Sequence, residues 1–301
     1  MLGHCAVVAL VEAPDEGMTM NVLLTGSTGY IGSAVLDALL GRGHDVLAVV
    51  RSEAAAQKLA GSGATAVVGD LGDREWLAAA LRGVDGAIHL ADASDGTSAQ
   101  LDDGVIDAVL AAFAGTDKPY LHTSGIWIWG EGADLTEQTP QQPPAIVTWR
   151  VAREQRLLDA DVRATVVAPG IVYGHGGGIP VGVVAGGARD EDGALLLVGD
   201  GTQHWTTVHV EDLADLYVLA LEAGGPGGRL IAASGQNPTA REVAEAVGGA
   251  VRAESADATR ARLGTAFADA LLLDQQATGS RARALGWRPS RRSLLDELAA
   301  S

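Results

Sequence analysis

Residues 25–32 read TGSTGYIG, from Thr25 to Gly32. The string follows a short apolar run, NVLLT at 21–25, and leads into a stretch with helical spacing from Ile31 to Leu40. A glycine pattern carries information in this setting, between a strand and a helix. Gly26 permits a tight turn, Gly29 lets a backbone approach a pyrophosphate, and Gly32 lets the helix close on the strand. The helix start then offers unpaired N–H groups and the positive end of its dipole to phosphates. The pattern predicts a dinucleotide site formed by Gly26, Thr28, Gly29, Tyr30, Ile31 and Gly32.

The rest of the chain repeats this rhythm. Apolar runs at 45–50 (DVLAVV), 64–70 (ATAVVGD), 86–91 (GAIHLA), 119–124 (PYLHTS) and 163–169 (RATVVAP) alternate with helical stretches. These include Ala99 to Ala114 and Thr148 to Asp159. Alternation of this kind predicts an α/β chain with a doubly wound parallel Rossmann sheet, since right-handed crossovers place helices on both faces. Beyond Pro169 the rhythm breaks. Gly174 to Gly178 is expected as a loop, Leu195 to Val198 and Thr206 to Val210 as short strands, and Val210 to Leu221 and Thr239 to Val247 as helices. Two helical pieces follow Gly279. Residues 20–170 are therefore read as the nucleotide-binding domain. Residues 171–301 are read mainly as a smaller C-terminal α/β substrate lobe, with some segments returning to the sheet. Residues 1–19 are read as a leader. Its apolar run from Cys5 to Val11 has no Lys or Arg before it and does not resemble a secretion signal, so a cytoplasmic chain is expected.

Composition narrows the function classes. Apolar residues make up 47% and charged residues 20%, as in a globular protein. The formal charge of −17 disfavours phosphate backbones, so no nucleic-acid partner is expected. No apolar run is long enough to span a bilayer, and no basic amphipathic helix would lie on one. Cys5 alone allows neither an internal disulfide nor a thiolate zinc site.

The end of the second strand bears on the cofactor. An acidic residue there would bond the ribose 2′-hydroxyl of NAD. The strand instead ends in Arg51 and Ser52, while Asp45 stands at its other end. The planar guanidinium of Arg51 suits a 2′-phosphate, so NADP(H) is expected, with NAD as the alternative. Asp70 and Leu71, ending the third strand, are placed beside the adenine. Leu90 and Ala91, ending the fourth, are placed at the cofactor's middle, and His89 is read as a packed strand histidine.

Taken together, TGSTGYIG, the GDL at 69–71, IHLA at 88–91, LHTSGIWIWG at 121–130, APGIVYG at 168–174 and GDGTQHWTTVHVEDLA at 199–214 resemble the short-chain dehydrogenase/reductase superfamily. Within it they resemble the extended or atypical branch of NAD-dependent epimerase/dehydratase-like proteins. The resemblance runs over nearly everything from Met20 onward. It implies a nicotinamide cofactor, contacts to it from Pro169 and Gly170, and a substrate lobe. It also implies a Tyr-x-x-x-Lys pair on the helix after the fifth strand, and here the chain departs. Its tyrosines are Tyr30, Tyr120, Tyr173 and Tyr217, followed four positions on by Ala34, Ser124, Gly177 and Leu221. Lysine occurs only as Lys58 and Lys118. Aligned on Glu154, Ile146 and Arg150 take the pair's places; an offset alignment gives Trp149 and Arg153. Arginine does not release its proton, so neither alignment restores the chemistry.

Other groups are candidates for that work. Thr123 and Ser124, ending the fifth strand, are candidates to orient a substrate oxygen. Tyr173 leaves a strand's C-terminal end, where ligands of open α/β sheets bind, and is the candidate proton donor. Arg150 is the candidate cation beside it and the ribose contact. Trp127, Trp129 and Trp149 would favour a flat apolar or aromatic small molecule. His122 alternates away from Thr123, and His204 and His209 face opposite ways, so no metal is expected. Helices 99–114 and 148–159 are the candidate seam of a homodimer. Three functions fit these features: an NADP(H)-dependent oxidoreductase of a small carbonyl or alcohol, an epimerase or dehydratase using bound NAD(P), and a non-catalytic NAD(P)-binding redox sensor.

Overall fold

The structure, a computed structural model, describes residues 19–93 and 95–300. Apart from Thr19, the leader expected at 1–19 lies outside the described residues. Strands β1 (Asn21–Thr25), β2 (Asp45–Val50), β3 (Thr65–Val68), β4 (Gly86–His89) and β5 (Pro119–Thr123) alternate with helices α1 (Tyr30–Gly41), α2 (Glu53–Lys58), α3 (Arg74–Arg82) and α4 (Ser98–Phe113). Next come a short 3-10 turn at Ile126–Trp129, strand β6 (Gly132–Leu135), helix α5 (Thr148–Leu158) and strand β7 (Arg163–Pro169).

The central sheet has seven strands in the order β12-β7-β5-β4-β1-β2-β3, all parallel, where β12 is Gly228–Ala232. Alternating side chains make its two faces. Val22 and Leu24 of β1 pack with Val35, Leu36 and Leu39 of α1 and with α6 (Val210–Glu222). Leu23 points the other way, into a core shared with Leu77 and Leu81 of α3 and Val105 and Val109 of α4. Successive strands run outward from β1 on one side and from β4 on the other, so the parting of the two βα crossovers at their carboxyl ends opens the crevice where such sheets bind ligands.

Two parts of the fold differ from the sequence reading. The seventh strand, β12, was not expected. It is a five-residue edge strand preceded by the glycine-rich stretch 224–227, which reads as a loop. The expected loop 174–178 is instead a tight hairpin. Gly174 closes strand β8 (Ile171–Gly174), Gly177–Gly178 forms β9 antiparallel to it, and the short strands β10 (Leu195–Leu196) and β11 (Thr207–His209) follow. Helix α6 and β12 bring chain from beyond residue 170 back onto the central sheet. A separate core, which includes Tyr173, Leu195, Trp205, Val243 and Leu271, fills the C-terminal lobe. Among the described residues, no helix is long and apolar enough to cross a membrane.

The glycines of α1 provide a test. A Cβ on Gly32 would overlap the Gly26 carbonyl oxygen, whereas a Cβ on Gly41 would meet nothing. Gly32→Ala is expected to lower unfolding free energy by about 2 kcal/mol or more. Gly41→Ala should be neutral or stabilising by about 0.5 kcal/mol. Urea denaturation of the two variants makes the comparison.

Candidate functional site

The crevice between β1 and β4 begins with Thr25. Its hydroxyl accepts the backbone N–H groups of Leu90 (3.2 Å) and Ala91 (3.3 Å) and lies 2.8 Å from His89 Nδ1. Gly26 follows at φ +75, and a Cβ there would stand 2.6 Å from the Leu90 carbonyl carbon. The turn therefore lies flat against the end of β4 because residue 26 has no side chain. Gly29 is the N-cap of α1, and no side chain caps this helix. Its first N–H groups therefore have no side-chain partner, an arrangement that suits an anion.

From this turn a groove of about 920 Å³ runs over the tips of β2 and β3. Of the predicted cofactor residues, Gly26, Thr28, Arg51, Ser52, Asp70, Leu71, Leu90 and Ala91 line it. Lys58, not foreseen from the sequence, lines it on the Arg51 side. The Ser52 hydroxyl caps α2 by accepting from Ala55 N, and Asp70 accepts from Gly72 N at 2.8 Å. Asp95 lines the groove as well. Its carboxyl is held below the ordinary range first by hydrogen bonds from Thr97 and in smaller part by the charge of Arg51.

The other predicted cofactor residues sit elsewhere. The Tyr30 hydroxyl donates to the Gly174 carbonyl at 2.8 Å, tying the 174–178 hairpin to α1, and burial pushes its phenol pKa up. Gly29, Ile31 and Gly32 shape the turn and the helix start. Pro169 ends β7, and Gly170 donates to Ala232 O at 3.0 Å within the sheet edge.

Thr123 and Arg150 come together at the carboxyl end of β5. The Thr123 hydroxyl donates to the His89 carbonyl at 2.6 Å and lies 2.7 Å from the hydroxyl of Tyr217, a buried residue of α6. Arg150, in the first turn of α5, donates to the Thr123 carbonyl at 3.1 Å and stacks on the Trp149 ring at 4.3 Å. It also lies 3.6 Å from Asp92, a lining residue of the groove. Its ordinary i,i+4 partner, Glu154, is engaged elsewhere, with Ser124 and Arg229.

Ser124 and Tyr173 are differently placed. Ser124 donates inward to Glu154 at 2.5 Å, and that fully buried carboxylate pairs with Arg229 at 3.3 Å. The Tyr173 hydroxyl donates to the Arg292 carbonyl at 2.9 Å, and its ring packs edge-on to His209 in the lobe core. Burial pushes its phenol up as well. The tyrosine that meets Thr123 is Tyr217, and no local sequence signal marks it. Trp129 is core, packed with Ile126, Ile128 and Leu135. Trp127 and Trp149 are half-buried, and Trp127 makes an edge contact with Phe267.

Behind Thr123 and Arg150 lies a buried cluster that sequence reading missed. Asp102 of α4 accepts from His89 Nε2 on Oδ1 at 3.3 Å, and His122 Nε2 lies 3.2 Å from Oδ2 without the alignment of a hydrogen bond. The two rings stack with centroids 5.4 Å apart. Thr25 Oγ1 already accepts two amide hydrogens, so its own hydrogen points to His89 Nδ1, leaving the Nε2 hydrogen for Asp102. The Tyr120 hydroxyl lies 3.0 Å from His122 Nδ1, and burial keeps that phenol protonated. It donates in the same sense. Burial of Asp102 opposes its ionisation, yet the two histidines beside it hold its carboxyl well below the usual range. Burial also lowers His89. His204 pairs with Asp274 and His209 with Glu297, and no group of metal-ligating side chains gathers among the described residues.

The chain belongs to the NAD dependent epimerase/dehydratase family, whose model matches residues 22–233. It is 30% identical over 291 residues to an uncharacterised protein, C2A9.02, of Schizosaccharomyces pombe, covering 93% of this chain and 98% of that protein. It is 33% identical over 227 residues to the 2-alkyl-3-oxoalkanoate reductase of Stenotrophomonas maltophilia, covering 69% of this chain and 67% of the reductase. Its fold is similar to that of human epimerase family protein SDR39U1 with NADPH. The TM-score is 0.71 at 23% identity, over 94% of this chain and all of the human chain.

The lowered His89 fixes a pH response. Below the ordinary histidine value of 6.5 the unfolded chain takes up a proton that the folded His89 refuses. Stability should therefore fall as pH drops from about 6.5, by at most about 1.4 kcal/mol per pH unit from this group. Asp102, lowered in the fold, adds a further loss only below the ordinary carboxylate range. Urea midpoints between pH 8 and 5 should decline in the native chain and decline less steeply in His89→Gln, where His209, also lowered by burial, still contributes.

Proposed function

We propose that this chain is an NADP(H)-dependent oxidoreductase, passing hydride between the nicotinamide and a carbonyl or alcohol carbon of a small apolar or aromatic substrate. The observation that carries the cofactor choice is the groove's far end. Arg51, Ser52 and Lys58 line it together, and the tip of β2 carries no carboxylate. Two cations and a hydroxyl suit a 2′-phosphate, while the NAD ribose would be served by an acid at that tip. Gly26 against Leu90 and the uncapped start of α1 suit the diphosphate.

When bound, NADPH supplies the hydride. The chain's own residues orient and protonate. Thr123 directs its hydroxyl to the substrate oxygen, and Tyr217 stands behind it as a second hydroxyl. Arg150 provides a fixed positive charge between this point and the groove, in the place where the family's lysine is expected. The half-buried faces of Trp127, Trp149 and Phe267 favour an apolar substrate. Similarity to a reductase named for a 2-alkyl-3-oxoalkanoate supports the same substrate class. The missing Tyr-x-x-x-Lys string favours one competing reading, a nucleotide-binding protein without turnover.

Tryptophan quenching during NADPH and NADH titrations should show tighter NADPH binding. Arg51→Ala should weaken NADPH by about tenfold and leave NADH nearly unchanged. Equal affinities in the native chain would remove the cofactor choice. A panel of alkyl and aromatic ketones, followed by loss of reduced-nicotinamide absorbance, should give turnover that falls about a hundredfold in Thr123→Val. Tight NADPH binding with no turnover on any ketone would instead support the non-catalytic reading.

A further inference from the structure

The buried cluster behind Arg150 has no part in the function proposed above. Asp102, His89 and His122 are all nearly inaccessible, and burying an ionised carboxylate costs several kcal/mol unless it is well partnered. Apolar side chains of similar size would often serve stability as well or better. Such a cluster in a crevice is therefore a candidate for a role in the site.

The geometry points to that role. His89 donates to Asp102 Oδ1 through Nε2, His122 Nε2 packs 3.2 Å from Oδ2, and the two rings are themselves fixed by Thr25 and Tyr120. The carboxylate is thus ionised and immobile. The nearest cation is Arg150, whose Nη1 lies 3.8 Å from Asp102 Oδ2. The same nitrogen donates to the Thr123 carbonyl, and the guanidinium lies flat on Trp149. On the far side, Nη2 faces Asp92 at the groove. Arg150 thus spans two carboxylates, one at the groove and one anchored inside the protein.

We propose that Asp102 is a positioning residue for Arg150: the buried carboxylate, clamped by His89 and His122, holds the guanidinium against the Thr123 carbonyl and the Trp149 ring beside the cofactor groove. This rests on the reading of Arg150 as the site's cation toward NADPH. His89 acts as a neutral donor to the anion, and His122 packs beside it. Neither transfers a proton in this role, and the cluster sets the geometry of Arg150 alone.

Asp102→Asn preserves shape and one acceptor oxygen, enough for the His89 bond, and removes the charge. In the full-length protein it is expected to raise the NADPH dissociation constant by about tenfold, as is Arg150→Met. The double variant should lose no more than either single one, because both act through one contact. A second readout follows the stacking directly. The emission contributed by Trp149, taken as the difference between each protein and its Trp149→Phe counterpart, should change in Asp102→Asn as it does in Arg150→Met. Native NADPH affinity together with a native Trp149 contribution in Asp102→Asn overturns the proposal, as do losses that multiply in the double variant. Unchanged NADPH affinity in Arg150→Met removes the reading of Arg150 instead. The Trp149 contribution then decides alone whether Asp102 holds the guanidinium. Should Asp102→Asn fail to fold, adding Arg150→Met should restore folding by removing the cation left without its anion; a double variant that also fails to fold overturns the proposal.

Discussion

The contact on which the rest depends is the meeting of β1 and β4 at the sheet's carboxyl edge. Two strands part there, and their last N–H groups lose the neighbour that the ladder would supply. The Thr25 hydroxyl takes two of them, from Leu90 and Ala91, and gives its own hydrogen to His89. Gly26 can then turn in the left-handed region directly against the Leu90 carbonyl. A larger residue at 26 would push the turn off β4 and displace the start of α1 with it. The crevice, the open helix terminus and the buried histidine cluster all follow from one threonine and one glycine in sequence.

The electrostatics of the groove run against those of the molecule. With a formal charge of −17, the chain as a whole repels phosphate, so any phosphate affinity must be local. The local positive sources are few: the α1 terminus, Arg51 and Lys58 at one end, and Arg150 at the other. The two arginines are close to carboxylates of the chain, Arg51 to Asp95 and Arg150 to Asp92 and Asp102. These acids hold the cations in place and restrain them from attracting anions without the right shape. Selectivity for a nucleotide then depends on geometry rather than on net charge.

Much of this was legible in the sequence and some was not, for physical reasons. The five βα units were legible because their apolar runs are short, regular and bounded by polar helices. The glycine turn was legible because Gly26, Gly29 and Gly32 stand in a fixed relation to both elements. Strand β12 was not, because a five-residue edge strand flanked by glycines has no periodicity long enough to register. Strand alternation did separate His122 from Thr123, and the structure gives them opposite faces, toward Asp102 of α4 and Tyr217 of α6. What alternation could not supply was the partner. Asp102 and Tyr217 lie 20 residues or more from those strand residues, and only the crossovers bring them near. Tyr173, singled out for leaving a strand end, is taken by the lobe core, because its hydroxyl finds the Arg292 carbonyl.

The direction of the hydrogen bonds around Thr123 bears on how a proton would move there. Thr123 gives its hydrogen to the His89 carbonyl, so the bond shared with Tyr217 must carry the tyrosine's hydrogen. Burial pushes the Tyr217 phenol up, while the Thr123 bond and the charge of Arg150 pull it back without cancelling that rise. The phenol therefore stays protonated at neutral pH, and the pair is polarised from Tyr217 toward Thr123. For Thr123 to serve a ligand oxygen, its hydrogen must leave the His89 carbonyl, a rotation about one bond that Tyr217 can follow. The lysine expected beside the family's tyrosine would lower a phenol through a charge that can itself be lost. Arg150 supplies a charge that cannot be lost, which confines its effect to position. This is why the anchoring of that guanidinium bears on the site more than its identity as a cation does.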